Sequence, residues 1–420
     1  MRNSRTPTVT AMLLALMMTL GAAFAQDPLV VVASESQAPF FEFAAAIFEE
    51  QTGYPVQIVS QAYDQTHEVI VTAAAGGSTA FDLPVIDTVY VASYAAIGIV
   101  EPLDQYASQE FFDQHTAASM DMMTYQGVPY SLGGGYNYKY FFYNQRLLDE
   151  AGYSEPPASW DELIEMAKAM QDKGVAEYPL AWGWSQAEGL ICDYTLLLYA
   201  FGGAYQDEAG NWTVDTPEAR ETLQFMYDTI HTHGVADPSS TSLSDREVMS
   251  LFLNGDVAFV LNWEFGWAWS QDPNRSNVVD DARTALIPGN PQYGRISSTT
   301  GGGSGPAIMS TSTKKDLAWQ FIELYTSPEM QMRFINEMDG NRITHASLLD
   351  RPELLEEPYR TMFEQQAYAY PRAKITWYPQ FSSTLQLEIH RALTGSKSVE
   401  QALADAQTRI DRFAQDLGER

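Results

Sequence analysis

A chain of 420 residues is too long for one ordinary hydrophobic core, so two lobes of roughly 150 to 200 residues are expected. Apolar residues at 45 % and aromatics at 12 % suffice for large cores and exclude disorder, while 24 Lys+Arg against 54 Asp+Glu set long-range repulsion against nucleic-acid backbone and anionic lipid. The single cysteine, Cys192, excludes an intrachain disulfide, a cysteine-built zinc site and an iron–sulfur cluster.

Arg2 and Arg5 precede an apolar run from Ala11 to Leu20, and Ala23-Phe24-Ala25 supplies a small-x-small cleavage pattern. A signal peptide over 1–25 is predicted, with a mature start near Gln26. Its removal takes two positive charges and no negative ones. Gln26 stands where a lipoprotein needs cysteine, and no later stretch approaches about 18 uninterrupted apolar residues, so the free periplasm is expected, without membrane insertion.

Pro28 to Ser34 then reads as a strand. Phe40, Phe43, Ala44, Ile47 and Phe48 follow at helical spacing, with Pro39 near the helix start and Gly53 past its end. Val56 to Ser60 is the next strand, Thr66 to Ala75 a helix closed by Gly76-Gly77, Asp82 to Ile86 a strand, and Val91 to Ile97 a helix. This alternation predicts a mostly parallel sheet covered on both faces. Gly127 to Asn144 breaks the pattern with Pro129, Gly133-Gly134-Gly135 and an aromatic-rich strand over Tyr136 to Tyr143, and is assigned as a crossover.

Ser159-Trp160-Asp161-Glu162 and Ser244-Asp245-Arg246-Glu247 are capping boxes, each opening an amphipathic helix, and Thr216-Pro217-Glu218 opens another. With the strand Val257 to Trp263 they predict a second α/β lobe. Pro288 to Pro306, containing Gly301-Gly302-Gly303, reads as a return crossover. Helices are predicted at Asp316 to Thr326, Pro328 to Glu337, Phe381 to Leu393 and Ser398 to Leu417. The division expected is 26–130 plus 298–342 for the first lobe and 131–297 plus 343–420 for the second.

Catalytic signatures are few. The sequence has no phosphate-binding Gly-x-x-x-x-Gly-Lys loop, no His-Glu-x-x-His, and no Gly-x-Gly-x-x-Gly between strand and helix. Pro306 occupies the second glycine position that a nucleophile elbow around Ser304 would need. His231-x-His233 with Asp237 can be read as metal ligands or as solvated residues at a helix end. No cofactor is implied. The glycine triplets, Gly302 among them, either cradle a ligand through backbone N–H groups or serve as hinges.

The aromatic placement carries more information. Trp182 and Trp184 lie near Glu188, Trp263 sits beside Glu264 with Trp267 and Trp269 close behind, and Trp377-Tyr378 follows Arg372. Sugars need such a combination, because their C–H faces pack on flat rings while their hydroxyls exchange hydrogen bonds with carboxylates, amides and arginine. Arg342 and Arg372 are candidates for hydroxyl or carboxylate contacts, or for salt bridges within a lobe. Two carboxylate pairs, Glu188 with Asp193 and Glu264 with Asp272, keep a glycoside hydrolase as the alternative, and a receptor for a non-sugar solute such as a polyamine or metal chelate as a third reading.

Seven segments in order, FEEQTGYPV at 48–56, GIVEPLD at 98–104, FFYNQRLLDEAG at 141–152, PPASWDEL at 156–163, NGDVAFVLNW at 254–263, AWQFIELYTSPEMQ at 318–331 and ALADAQTRI at 402–410, resemble the periplasmic solute-binding proteins of ABC importers, in the carbohydrate-binding group that includes maltose-binding protein. The resemblance covers nearly the whole mature chain. It implies a type II periplasmic-binding-protein fold of two α/β lobes joined by three hinge crossovers, a ligand cleft between them, closure on a sugar or oligosaccharide, and delivery to an inner-membrane ABC permease by a monomer. It implies ligand contacts from Glu35 and Ser36 after the first strand, from Asp87, Thr88 and Tyr90 after Ile86, and from Asn137. It also implies one stacking ring at Trp263 or Trp267 and another at Trp377 or Tyr378. The glycine triplets at 133–135 and 301–303 depart from the maltose binder, so maltose itself is not implied.

Overall fold

The computed structural model describes residues 26–133, 137–338, 340 and 343–418; the predicted signal peptide, Gly134, Gly135 and Arg342 lie outside the described residues. Two lobes are present, each with its own sheet and core. In the first, Leu29–Ser34 reads LVVVAS and is buried at every position but Val30, as a strand covered on both faces must be. It pairs in parallel with Val56–Gln61, from Leu29 opposite Val56 to Ser34 opposite Gln61, and with Leu83–Asp87 on its other side. Ser304–Pro306 closes that sheet antiparallel to Leu83–Asp87. Helices Ala38–Thr52 and Lys315–Thr326 bury Phe41, Phe48, Phe321 and Tyr325 against it, with the Phe41 and Tyr325 rings stacked at 4.2 Å.

The second lobe has a short sheet of different kind. Tyr140–Asn144 is its central strand, flanked by Phe259–Asn262 and Ala282–Ala285, and both pairings are antiparallel. Its core is helical in bulk: Trp160–Asp172, Glu188–Ala200, Pro217–His231, and the closing pair Tyr378–Leu393 and Val399–Leu417. The two capping serines start their helices as expected. Ser244 and Glu247 complete a reciprocal box, whereas Ser159 accepts from the Glu162 N–H and the Glu162 side chain reaches one residue further back, to the N–H of Ala158 at 2.8 Å. Among the described residues no helix is long and apolar enough to cross a membrane.

Between the lobes the crossing segments form a sheet of their own. Thr299–Gly302 lies in the middle, parallel to Ala369–Pro371 and antiparallel to Asn137–Tyr138. The chain therefore crosses three times, and the third crossing falls after position 342. Ile343 and Leu348 pack on Met332 and Ile335 of the first lobe, Thr344 accepts from the Thr116 N–H, and helix Tyr359–Gln366 then reaches the second lobe's core through Met362. The predicted strand over 136–143 is also split. Lys139 stands between Asn137–Tyr138 and Tyr140–Asn144, where the chain leaves its pairing with Thr299–Gly302 for that with Phe259–Asn262.

Candidate functional site

A cavity of about 330 Å³ lies between the lobes, within the size range of small-molecule sites. From the first lobe come Ser34, Glu35, Ser36 and Asp87, all at the carboxyl ends of strands Leu29–Ser34 and Leu83–Asp87, where open parallel sheets present their loops. The hinge sheet contributes Asn137, Gly302 and, just beyond Pro371, Arg372. The second lobe supplies Glu188 and Asp245 from the first turns of two helices, with Arg246, Trp263, Glu264 and Phe265.

Arg372 is the centre of the electrostatics. Its guanidinium is 2 % exposed and joins the lobes, with Nη2 at 2.9 Å from Asp87 Oδ1 and Nη1 at 2.8 Å from Glu188 Oε1. Glu188 is saturated: Oε1 also accepts from the Tyr378 hydroxyl, and Oε2 accepts from Ser382 at 2.5 Å and Gln386 at 3.4 Å. Asp87 caps helix Thr88–Ala96 through Oδ1 and accepts from the Tyr63 hydroxyl at 2.9 Å through Oδ2. At the cleft mouth, Arg246 meets Glu35 across the lobes at 3.3 Å.

Behind Trp263 sits a second ionic cluster. Lys139 is fully buried, with Nζ 3.1 Å from Asp193 and 2.6 Å from Asp245. Asp245 accepts the Trp263 indole N–H at 2.7 Å, and Asp193 accepts that of Trp184 at 3.1 Å. Burial pushes the Asp193 carboxyl up to about 6 against the pull of Lys139; burial also opposes the Lys139 charge, but the two aspartates outweigh it and hold the ammonium above its ordinary range. Gly183 makes room for this arrangement, since a Cβ there would lie 2.5 Å from Asp245 Oδ1. Gly302 does the same for the binding face: a Cβ would sit 3.2 Å from the Trp263 ring and 3.3 Å from Arg372 Nη2. The glycine at 302 thus lets the Trp263 ring and Arg372 approach the strand closely, and any side chain there would push them back by a few tenths of an ångström.

Of the candidate residues, the structure brings Glu35, Ser36, Asp87, Asn137, Glu188, Trp263, Glu264, Gly302 and Arg372 to the cavity wall. The others lie elsewhere. Trp182 and Trp184 are buried in the second core, stacked on each other at 5.0 Å, with their indole N–H groups used by Thr229 and Asp193; Glu188, their sequence neighbour, turns away to Arg372. Trp377 and Tyr378 are buried as well, Trp377 against Trp212 at 5.2 Å and Tyr378 through its hydroxyl on Glu188, so neither ring offers a free face. Trp267 is half-buried on helix Phe265–Gln271 beside the second core. Thr88 donates to the Met122 carbonyl, and the Tyr90 ring stacks on His67 at 4.1 Å. Arg342 is outside the described residues.

Sequence reasoning missed Asp245 and Arg246, known only as the start of a capped helix, along with Tyr63, Gln37 and Lys139. Lys139 left a trace in the sequence, a single charge inside the run Tyr138-Lys139-Tyr140-Phe141-Phe142-Tyr143. His231, weighed as a metal ligand, places Nε2 2.7 Å from the Leu393 carbonyl oxygen, and among the described residues no cluster of three His, Cys, Asp or Glu is placed to hold a metal.

Two unspent groups define what this wall can still do. Asn137 Oδ1 is buried and accepts from no described residue, and Arg372 Nε is buried and donates to none. Both residues line the cavity that Trp263 also lines, and between them they leave one acceptor and one donor unspent.

The model of the bacterial extracellular solute-binding protein family matches residues 33–332. A probable ABC transporter-binding protein of Deinococcus radiodurans is 26 % identical over 282 residues, 65 % of this chain and 66 % of its own. An arabinooligosaccharide-binding protein of Halalkalibacterium halodurans is 26 % identical over 288 residues, 65 % of this chain and 61 % of its own. The solved structure of maltose-bound MalE3 from T. maritima superposes with a TM-score of 0.85 at 26 % identity, covering 92 % of this chain and 99 % of that one. With the two-lobed fold, the three crossings and the interlobe cavity, these matches place the chain in the bacterial extracellular solute-binding protein family.

Proposed function

We propose that the protein is a periplasmic receptor that encloses a neutral sugar or short oligosaccharide between its lobes and delivers it, chemically unchanged, to an inner-membrane ABC permease. The observation that carries the reading is the composition of the cavity wall. An indole plate lines it together with Asn137 and Arg372, whose Oδ1 and Nε are an unspent acceptor and an unspent donor, and a polyol brings both hydroxyls for such groups and a C–H face for the ring. The cations lining the cavity meet carboxylates, Arg372 at Asp87 and Glu188 and Arg246 at Glu35, and Lys139 behind the wall meets Asp193 and Asp245. An anionic ligand would add charge to a wall whose cations already answer protein carboxylates, which favours an uncharged one. A relative named for arabinooligosaccharide and a neighbour holding maltose support the same class, and the relative described as an ABC transporter-binding protein supports the permease as partner. A signal peptide over 1–25 fits this location.

Hydrolysis is the weaker reading because each candidate pair has one carboxylate already occupied. Both Glu188 oxygens accept hydrogen bonds from protein groups, and Asp272 Oδ1 accepts from the Asn274 N–H in a surface turn. Closure that expels water strengthens the remaining polar contacts, and micromolar affinity, about −8 kcal/mol, is the expected scale. A thermal-shift screen over neutral mono- and oligosaccharides tests the proposal. A ligand at 100-fold its dissociation constant adds about 2.7 kcal/mol of stability. At least one sugar should raise Tm clearly without releasing reducing ends; a flat screen, or turnover lost in Glu188→Gln, would overturn it.

A further inference from the structure

We propose that Lys139 is a positioning residue of the binding site: held between Asp193 and Asp245 beneath the Trp263 ring, it fixes the indole plane against which the ligand packs. The proposal rests on the reading of Trp263 as that platform. Four observations meet on one side chain. The Lys139 ammonium is fully buried, a costly placement unless each charge is answered. Its Nζ lies 5.0 Å from the centroid of the Trp263 ring, within cation–π range. The carboxylate it holds at 2.6 Å, Asp245, is the one that takes the Trp263 indole N–H at 2.7 Å. Asp245 is in turn seated by its backbone carbonyl, which accepts from Asn262 at 2.7 Å, and by the missing side chain of Gly183.

The indole is thus gripped twice, at its N–H by Asp245 and across its face by the ammonium, and both grips depend on Lys139. The residue also stands at the hinge. It separates crossing strand Asn137–Tyr138 from the central strand of the second lobe, and its carbonyl accepts from Thr299 of the middle crossing strand at 2.7 Å. Asp193 anchors the ammonium from the far side, on the helix whose first residue is Glu188. The groups facing Lys139 are therefore Asp193, Asp245, the Trp263 ring and the neutral Cys192 thiol.

The test begins without any ligand. In ¹H–¹⁵N spectra the nine tryptophans give separate indole signals, and Trp263→Phe identifies the one from position 263. In the charge-balanced variant Lys139→Met/Asp193→Asn, that signal should move and lose its protection from hydrogen exchange, while the indoles of Trp160, Trp212 and Trp319 stay in place. If the double variant does not fold, Asp193→Asn alone, which keeps the Lys139–Asp245 pair, should shift the same signal by a smaller amount. An unmoved Trp263 indole in a folded variant overturns the proposal. The second arm is a binding cycle with maltose, or with the strongest ligand of the sugar screen if maltose is silent. Lys139→Met/Asp193→Asn should weaken binding at least tenfold in the parent and hardly at all in Trp263→Ala. Equal losses in both backgrounds mean that Lys139 does not act through Trp263. If no sugar binds while the indole still shifts, the receptor reading fails and the positioning role stands.

Discussion

Replacing Arg372 by methionine probes the buried ion pairs that join the two lobes. Its side chain is 2 % exposed, and the carboxylates it separates, Asp87 and Glu188, are 14 % and 7 % exposed, so removing the cation leaves two poorly solvated like charges facing one another. Breaking a buried pair in this way costs about 3–5 kcal/mol. For a lobe of roughly 150–250 residues each kcal/mol is worth about 2–4 °C, which puts the fall in Tm at roughly 6–20 °C. The contact spans both lobes, so their unfolding should also become less cooperative, visible in calorimetry as a broadened or split transition. The discriminating variant is Arg372→Met/Glu188→Gln. The amide at 188 keeps hydrogen-bond partners in Tyr378, Ser382 and Gln386, and the remaining charge on Asp87 is partly solvated, so at least about 1 kcal/mol should return. If Arg372→Met costs under about 1 kcal/mol, or if neutralising Glu188 recovers nothing, the picture of an interlobe ionic clasp is wrong.

Three further outcomes follow from the site and its surroundings. Trp263→Ala should weaken the best sugar more than tenfold, read by calorimetric titration, with the fold retained; unchanged affinity removes the ring from the pocket. Burial, and to a lesser degree the neighbouring His345, lowers the His115 imidazole to about 4, so it folds neutral. That contribution is complete above the unfolded value near 6.5 and is lost as pH falls toward 4, by on the order of 3 kcal/mol, and His115→Gln should flatten this part of the urea-stability profile between pH 7 and 4. Cys192 is buried at the cavity wall, and burial raises its thiol. It should therefore resist Ellman's reagent at pH 8 until denaturant is added, and rapid reaction in the native protein would contradict the enclosed wall described above.

The parts legible in the sequence are those set by local chemistry. Ser244 and Glu247 announce a helix start because both partners of the box lie within one turn, and Pro39 and Gly53 bracket the first helix for the same reason. The site is legible where a side chain follows directly from a strand end, as Glu35, Ser36 and Asp87 do. Trp182 and Trp184 show where such reading stops. Their acidic neighbour suggested an exposed sugar platform, but whether an indole is solvated depends on Thr229 and Asp193, the first 47 residues from Trp182 in sequence. Trp377 and Tyr378 are hidden by Trp212 and Glu188 in the same way. Lys139 is the converse case: its partners are 54 and 106 residues away, so a single charge in an aromatic strand carried no hint of what answered it. The third crossing was similarly out of reach, because Ala369–Pro371 is a three-residue strand defined by its pairing to Thr299–Gly301.

A crystal structure of the mature protein grown with the sugar that most raises its Tm would decide the matter. One intact sugar should lie in the interlobe cavity with a C–H face on Trp263, one hydroxyl donating to Asn137 Oδ1 and another accepting from Arg372 Nε. Density for that ligand on an outer face of either lobe, or for cleaved product in the cleft, would contradict the account.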